Sequence, residues 1–373
     1  MLYGGYGLGN FGDDILMISF MNSIREIAPQ STIAISAVRN DGTYLPNFAK
    51  GIDILDRNLP ASVKCRVLVY GGGTQWYSFP NTTEDPNDDE FRPKDLIKNV
   101  IDSGKRMIGR KPAEPQMLTP NIQLAMGIGI GPFMAGKEKR TFRELRKCSY
   151  IGVRDPISLN WCNEHKLNQA HLRADICYAA EYWKPSGIHK SHLKRKPIIG
   201  IIPRDWHHTN EGAEYLVPLV KVGKELKVMG YDVRYLVFSK LREINTMNLL
   251  NHEQENYSVW DPKELSNIGE FTNEIAECDL VISARYHGIV AAATLGIPAI
   301  AIEVEPKLAL VSKVLSPGCD LWNQPFLPEK LIKQVKLALL ENEIRSDAMA
   351  TNAHYQRKSA TMLINDLAKF FQY

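Results

Sequence analysis

The sequence lacks the features that mark membrane-spanning, secreted and disulfide-stapled proteins. No apolar run in its 373 residues approaches the ~18–20 residues of a membrane-spanning helix, and residues 1–20 show no signal-peptide pattern. The six cysteines have no C-x-x-C spacing, which argues against both a zinc ribbon and a disulfide framework. We therefore expect a cytoplasmic protein with reduced, mostly buried thiols.

The chain also has little net charge of either sign. Its 45 Lys and Arg residues against 42 Asp and Glu residues give +3, which is too small an excess to predict a nucleic-acid partner. A local basic patch can still bind an anionic substrate or a membrane surface. Because 373 residues exceed the roughly 250–300 at which a single core stops growing, we expect two domains.

Short apolar runs alternate with helical patterns and glycine turns along the chain. Residues 150–153, 198–202 and 280–283 predict buried strands, and residues 15–28 predict a helix with one apolar face. This alternation predicts an α/β fold with mostly parallel, doubly wound sheets.

The best domain boundary is a basic, turn-rich stretch at 184–197. We predict a first Rossmann-like domain over residues 1–185, a linker over 186–197 and a second Rossmann-like domain over 198–345. Residues 346–373 are predicted to form a helix that packs back across both domains.

A glycine-rich turn precedes the first predicted helix. Residues 7–12 match G-x-G-x-x-G, a pattern that lets a phosphate approach bare backbone at the start of a helix. Asp13 and Asp14 follow directly and would repel a pyrophosphate, so a tight turn with an acidic cap is an equal alternative. Asn10 is the residue of this turn that we expect to bond a ligand or to fix the loop.

Polar side chains follow the strand predicted over 280–283. Arg285, Tyr286 and His287 come at its carboxyl end, where open α/β sheets bind ligands, and a small-residue helix begins behind them. An arginine at a helix amino terminus predicts an anion site, and the histidine supplies a proton donor beside it. The alternative is that Arg285 pairs with a neighbouring carboxylate and His287 has a purely structural role.

Two other strand ends carry basic residues in the same position. Arg154 follows the strand at 150–153, where the alternative is a surface pair with Asp155. Asp175, at a later junction, is predicted to support Arg154 or the acceptor. Arg204 and His207 follow the strand at 198–202, and His207 is predicted to line the cleft because no carboxylate cluster indicates a metal site.

With these motifs together, the sequence resembles the polysaccharide pyruvyl transferase family. The resemblance implies two Rossmann-like halves that face each other across a cleft, similar to GT-B glycosyltransferases. It also implies transfer of pyruvate from phosphoenolpyruvate to a sugar as a cyclic ketal, with release of phosphate. Four stretches carry the resemblance: Gly-Tyr-Gly-Leu-Gly-Asn-Phe-Gly-Asp-Asp at 5–14, Gly-Ile-Gly-Ile-Gly-Pro-Phe at 127–133, Val-Arg-Asp-Pro-Ile-Ser at 153–158, and Arg-Tyr-His with Gly-Ile-Pro and Pro-Lys within 285–307.

The family's functional residues transfer to matching positions of this chain. Arg154 and Arg285 resemble its phosphoenolpyruvate-binding arginines, one from each domain. His287 resembles its active-site histidine and would protonate the donor, and Lys307 resembles a lysine after the last central strand. If both arginines only bind the donor, their replacement by alanine should abolish turnover and leave the melting curve nearly unchanged.

Further candidate contacts and two departures from the family pattern complete the predicted site. Asp14 stands where the family commonly has glutamate, and Tyr286 where leucine or phenylalanine is usual. The additional candidate substrate contacts are Asn10, Asp13, Arg204, His207 and Tyr286.

The predicted partners follow from this reaction. They are phosphoenolpyruvate, a glycan or lipid-linked oligosaccharide acceptor, and the inner face of a membrane as a peripheral contact surface. No metal or other cofactor is expected. The acidic stretch 80–90 is predicted to be a surface loop that takes part in acceptor choice.

Three other functions were weighed against this prediction. A GT-B glycosyltransferase that uses a nucleotide sugar is the main alternative, with Glu303 or Glu305 on the ribose. An NAD(P)-dependent oxidoreductase would rest on the glycine motif alone, and a non-enzymatic scaffold leaves the cationic strand ends unexplained.

Overall fold

The chain builds two parallel β-sheets in succession. The computed structural model describes residues 1–37, 44–56, 62–78, 117–134, 136–188, 196–209, 212 and 214–372. The predicted loop at 80–90 and residues 189–195 of the predicted linker lie outside these ranges.

The first sheet has seven strands, and every described pairing within it is parallel. Its strands are β1 (Leu2–Tyr3), β2 (Ala34–Ala37), β3 (Asp53–Asp56), β4 (Ser62–Trp76), β5 (Met117–Ile130), β6 (Tyr150–Val153) and β7 (Ala170–Leu172). The spatial order is β3-β2-β1-β4-β5-β6-β7, so the two-residue β1 lies inside the sheet between β2 and β4.

The second sheet has six strands and is also parallel throughout. Its strands are β8 (Ile198–Ile202), β9 (Asp232–Val237), β10 (Tyr257–Val259), β11 (Leu280–Ser283), β12 (Ala299–Ile302) and β13 (Cys319–Trp322). The order β10-β9-β8-β11-β12-β13 reverses direction between β8 and β11. In doubly wound sheets this switch point is where ligands bind.

Helices connect successive strands of both sheets. In the described residues they are α1 (Phe11–Ile27), α2 (Leu45–Phe48), α3 (Glu138–Leu145), α4 (Pro156–Glu164), α5 (Leu216–Val228), α6 (Ile244–His252), α7 (Asn267–Ala276), α8 (Tyr286–Thr294), α9 (Pro306–Leu315), α10 (Pro328–Leu340) and α11 (Asn342–Ala368). No helix among the described residues is both long and apolar enough to cross a bilayer.

An aromatic cluster joins the two halves. The ring of Phe11, in the first turn of α1, lies 4.9 Å from Phe238 and 5.2 Å from Trp260, which follow strands of the second sheet. Phe11 N also donates to Phe238 O at 3.0 Å. The amino terminus of α1 is therefore held against the second sheet by apolar contact and by a backbone hydrogen bond.

The last helix contacts both halves of the chain. Asp366 of α11 accepts a hydrogen bond from Tyr150 Oη at 2.5 Å and pairs with Arg173 at 2.8 Å. Near the start of the same helix, Arg345 pairs with Asp320 at 2.9 Å. The predicted α/β class with mostly parallel sheets is confirmed, and the division at 186–197 stays a proposal.

The six cysteines are free thiols, and five of them are buried. Burial is the largest cause that raises the pKa of Cys148, Cys162 and Cys319 to about 12. These side chains pack as small apolar groups.

Candidate functional site

Arg285 lies at the switch point of the second sheet, and a local hydrogen-bond turn fixes its backbone. Ser283, the last residue of β11, accepts from Arg285 N at 3.0 Å and donates to Arg285 O at 2.8 Å through its Oγ. The buried Arg285 guanidinium pairs with the buried carboxylate of Glu243. Its Nε has no hydrogen-bond partner among the described residues.

A second cationic group comes from the two strands beside β11. Arg204 follows β8 and Lys307 follows β12, and both contact Glu305, with Lys307 Nζ 2.8 Å from Oε1. Burial would raise the pKa of Glu305, but Arg204 and Lys307 outweigh that effect and lower it to about 2. Arg204 also stacks over Trp206, with Cζ 4.0 Å from the ring centroid.

The cations of this sheet edge affect one another. Burial lowers the pKa of Lys307 to about 8, Glu305 partly offsets this, and the charges of Arg204 and Arg154 lower it further. Burial, followed by the charges of Arg204 and Arg242, also lowers the pKa of Arg285 well below its usual value. Because burial and mutual repulsion disfavour the charged forms of these side chains, a bound anion would stabilise the cluster.

His287 reaches from the second half to the first. Its Nε2 lies 3.4 Å from Asp175 Oδ2, and its side chain is 11% exposed. The opposite ring nitrogen faces α1, since a Cβ on Gly12 would lie only 2.5 Å from His287 Nδ1. Asp175 is thus the carboxylate that lies beside His287.

Arg154 is buried and contacts the same carboxylate, that of Asp175. Its Nη1 donates to Asp175 Oδ2 at 2.8 Å, and its Cζ lies 4.2 Å from the ring centroid of Tyr286. The Arg154 side chain is 2% exposed and that of Asp175 is fully buried. The alternative of a surface pair with Asp155 does not apply, because Asp155 instead accepts from Ser158 N and caps α4.

The structure thus brings the predicted residues together in two groups. Arg204, Arg285 and Lys307 form the cationic edge of the second sheet, while Arg154 and His287 meet at Asp175. The expected indifference of the melting curve to alanine at either arginine no longer holds. Arg285→Ala leaves the buried Glu243 carboxylate without its partner, which typically costs ~3–5 kcal/mol. Arg154→Ala leaves the buried Asp175 carboxylate with only His287 and the amide of Cys177.

The remaining candidates have varied surroundings. Asn10 caps α1, accepting from Gly12 N at 3.0 Å, so it fixes the loop as one of the two predicted roles requires. Asp13 lies 3.7 Å from Arg242 of the other half, and both side chains are partly exposed. His207 is exposed, with Nε2 3.3 Å from Asn245 Nδ2 at the start of α6.

Asp175, Cys177 and His287 place one potential metal ligand each within 4.8 Å of one another. Arg154 already donates to the carboxylate of this trio. Burial holds the pKa of the Cys177 thiol well above its usual value, whereas a metal needs the thiolate. These three groups are therefore poorly suited to a cation.

The sequence analysis missed Arg242 and Glu243. They follow β9, which neighbours β8 in the sheet, and they contact Asp13 and Arg285 respectively. The available signal was that this charged pair follows an apolar run in the sequence, at 235–238. The carboxylate partner of Arg285 depends on strand order, which the sequence alone does not show.

Comparisons with known proteins agree with this architecture. A model of the polysaccharide pyruvyl transferase family matches residues 10–306. No curated protein matches the chain in sequence.

Three solved structures share the fold over nearly their whole length. A putative UDP-N-acetylglucosamine 2-epimerase from Listeria monocytogenes is 13% identical with a TM-score of 0.57, covering 100% of this chain and 96% of that chain. Alr3699/HepE from Anabaena, in complex with UDP, is 12% identical with a TM-score of 0.53, covering 99% and 98%. A UDP-GlcNAc 2-epimerase from Neisseria meningitidis, bound to UDP-GlcNAc, is 11% identical with a TM-score of 0.53, covering 99% and 98%. The predicted GT-B-like fold is confirmed, and identities this low show the fold alone.

Proposed function

Because this chain belongs to the polysaccharide pyruvyl transferase family, we propose that it transfers pyruvate from phosphoenolpyruvate to a sugar of a cell-surface polysaccharide or its lipid-linked precursor. The products are a cyclic pyruvate ketal and inorganic phosphate. The observation that carries the proposal is the cationic edge, in which Arg204 and Arg285 are buried and Lys307 is partly buried. His287 lies beside it in the first turn of α8.

The cationic edge suits a small donor that carries several negative charges. Phosphoenolpyruvate has a carboxylate and a phosphate on the same carbon, C2, and guanidinium groups hold both oxyanions by forked, charge-assisted hydrogen bonds. Arg285 has a buried Nε without a partner among the described residues, so it can donate to an oxyanion. We assign donor binding to Arg285 and Lys307, with Arg204 as a further contact.

His287 is the proposed general acid. Its proton goes to C3 of the donor, which makes C2 electrophilic, and one acceptor hydroxyl then adds to C2. The C2–O bond to phosphate breaks, and a second hydroxyl closes the ketal. One hydroxyl proton replaces the proton that His287 gave to the new methyl group, and the other leaves on phosphate. General acid catalysis of this type contributes typically ~10²–10⁴-fold.

The contacts of Glu305 narrow the nucleotide-sugar alternative to one carboxylate. That alternative needs a free carboxylate for the ribose; Glu305 is engaged by Arg204 and Lys307, which leaves Glu303 for this role. Two of the fold relatives hold UDP or UDP-GlcNAc, so nucleotide sugars are the proper competing donors in any assay. We further propose a cytoplasmic location, with acceptors met at the inner face of the membrane.

A donor screen tests the proposal directly. Purified protein is given phosphoenolpyruvate or nucleotide sugars together with a panel of polyprenyl-diphosphate-linked oligosaccharides and soluble glycans. We expect phosphate release only with phosphoenolpyruvate, together with an acid-labile ketal in the product and loss of both signals in His287→Gln. Release of a nucleoside diphosphate, with no phosphate from phosphoenolpyruvate, would show a glycosyltransferase instead.

A further inference from the structure

Arg154 contacts other side chains of the protein and is almost completely shielded from solvent. Its guanidinium lies between the carboxylate of Asp175 and the ring of Tyr286, and 2% of its side chain is exposed. Substrate can reach this guanidinium only if some of the side chains that enclose it move. The family resemblance, by contrast, implies direct contact between this arginine and the donor.

Asp175 is fixed at both of its oxygens. Oδ1 accepts from Cys177 N at 3.1 Å, and Oδ2 accepts from Arg154 at 2.8 Å while lying 3.4 Å from His287 Nε2. Burial would raise the pKa of this carboxyl group, but the charges of His287 and Arg154 outweigh burial and hold the pKa well below its usual range. Asp175 therefore stays ionised, and its carboxylate lies beside Nε2 of His287.

We propose that Arg154 and Asp175 are positioning residues, which together hold the protonated His287 ring in place through the ion pair between its Nε2 and Asp175. This inference rests on the proposed function because it takes His287 as the acid. Nε2 makes no hydrogen bond to the described residues, so the 3.4 Å contact with Asp175 is an ion pair that orients the imidazolium by charge. The Nδ1 side of the ring faces Gly12 at the amino terminus of α1.

The arrangement also spans the two halves of the chain. Arg154 and Asp175 follow β6 and β7 of the first sheet, whereas His287 follows β11 of the second. The acid is therefore in place only while the halves are packed as they are here. Donor affinity depends on the cationic edge, which the second half supplies by itself.

The test separates turnover from donor binding. Phosphoenolpyruvate binding is measured by titration calorimetry, and kcat is measured with the acceptor identified by the donor screen. For Asp175→Asn we expect kcat to fall ~10²–10⁴-fold, with the donor Kd changed less than about threefold. Arg154→Lys should show the same pattern to a smaller degree. The matched control, Arg285→Lys, should instead weaken donor binding.

The double variant Arg154→Met/Asp175→Asn guards against misfolding of the single variants, because it leaves no unpaired buried charge. It should fold, bind phosphoenolpyruvate like the wild type and turn over as slowly as Asp175→Asn. Direct donor contact by Arg154 would appear as a Kd raised as much in Arg154→Lys as in Arg285→Lys. That result, or a wild-type kcat in Asp175→Asn, overturns the proposal.

A measurement without substrate distinguishes failure of this inference from failure of the proposed function. In ¹⁵N spectra of labelled protein, the His287 ring is identified by its loss in His287→Gln. These signals report the protonation of both ring nitrogens, and Asp175→Asn should change them because it removes the anion beside Nε2. If the wild type neither binds nor turns over phosphoenolpyruvate but the ring signals depend on Asp175, the proposed function fails while the positioning role stands. Unchanged ring signals in Asp175→Asn refute the positioning role whatever the reaction is.

Discussion

The imidazole of His287 occupies the space that a side chain at position 12 would need. A Cβ built on Gly12 would lie 2.5 Å from His287 Nδ1 and 3.0 Å from its Cβ. Gly12 is in the first turn of α1 and its backbone is not in the left-handed region, so conformational freedom does not explain the glycine. What the position requires is room for the histidine.

Gly12→Ala should therefore remove activity without unfolding the protein. Alanine favours a helix over glycine by ~1 kcal/mol, yet its methyl group must push the histidine away from its present place. A displacement of about 1 Å at a reacting group can cost ~10²-fold in rate. We expect a loss of this size in phosphate release, with a Tm close to that of the wild type.

Gly269→Ala is the matched control for this substitution. Gly269 lies within α7, and a Cβ there would meet only ordinary contacts with Pro185 and Ile188, the nearest at 3.5 Å. The change brings the same gain in helix propensity far from the imidazole, so it should keep wild-type activity. Full activity in Gly12→Ala would show that the ring tolerates another position during catalysis.

Donor affinity should depend on the charge of Lys307. The pKa of its ammonium group is lowered to about 8, first by burial, so the group loses its charge as the pH rises through that value. The second ionisation of a phosphate monoester, at about 6, lies below this window. The Kd for phosphoenolpyruvate should therefore increase between pH 7 and pH 9.

The variant Lys307→Arg separates this effect from other titrations, because a guanidinium keeps its charge over the whole range. Its affinity for phosphoenolpyruvate, measured by calorimetry, should vary much less with pH. Lys307→Met should bind weakly at every pH. An unchanged pH dependence in Lys307→Arg would place the titrating group elsewhere.

The sequence was most informative about strands that are buried on both faces. Residues 150–153, 198–202 and 280–283 were predicted as strands with the bounds that β6, β8 and β11 have, because uninterrupted short apolar runs define such strands. α1 begins at Phe11 and not at Ile15, because the Asn10 cap extends the helix beyond its apolar stripe. β4 extends well past its apolar segment at both ends, since backbone pairing with β5 continues through polar residues.

Site residues that directly follow a single predicted strand could be identified from the sequence. Contacts between residues that follow different strands could not. Arg285 and His287 stood out because a single apolar run ends directly before them. Their carboxylate partners, Glu243 and Asp175, come from other strands, and strand order decides which side chains meet. Short sequence patterns do not show the order of the strands in the sheet.

Asp14 should make the stability of the fold depend on pH. It is fully buried, and it accepts from Tyr44 Oη at 2.7 Å and from Trp260 Nε1 at 2.8 Å, so it links the two halves. Burial raises its pKa from 3.8 to about 7, against the effect of these two hydrogen bonds. The folded state therefore keeps a proton that the unfolded chain releases at lower pH.

The sign of the effect follows from this difference. The stabilisation is fully present below pH 3.8 and is lost as the pH rises to about 7. The fall in Tm between pH 5 and pH 8 should be smaller by several degrees in Asp14→Asn than in the wild type. Asp13→Asn, at a partly exposed neighbour, is the comparison. The charge of Asp13 adds to the rise in the pKa of Asp14, so this variant should change the slope only slightly. A wild-type slope in Asp14→Asn would exclude this carboxyl group as the source.

Arg285 should serve both stability and donor binding, and a pair of substitutions can separate the two. Arg285→Ala leaves the Glu243 carboxylate buried without its partner, so the free energy of unfolding should fall by ~3–5 kcal/mol. The double variant Arg285→Met/Glu243→Gln removes both charges and should recover most of that loss in denaturant unfolding. It should still fail to bind phosphoenolpyruvate in calorimetry, because the guanidinium is gone. If the double variant binds the donor as the wild type does, Arg285 is a structural residue and the cationic edge must bind its anion through Arg204 and Lys307.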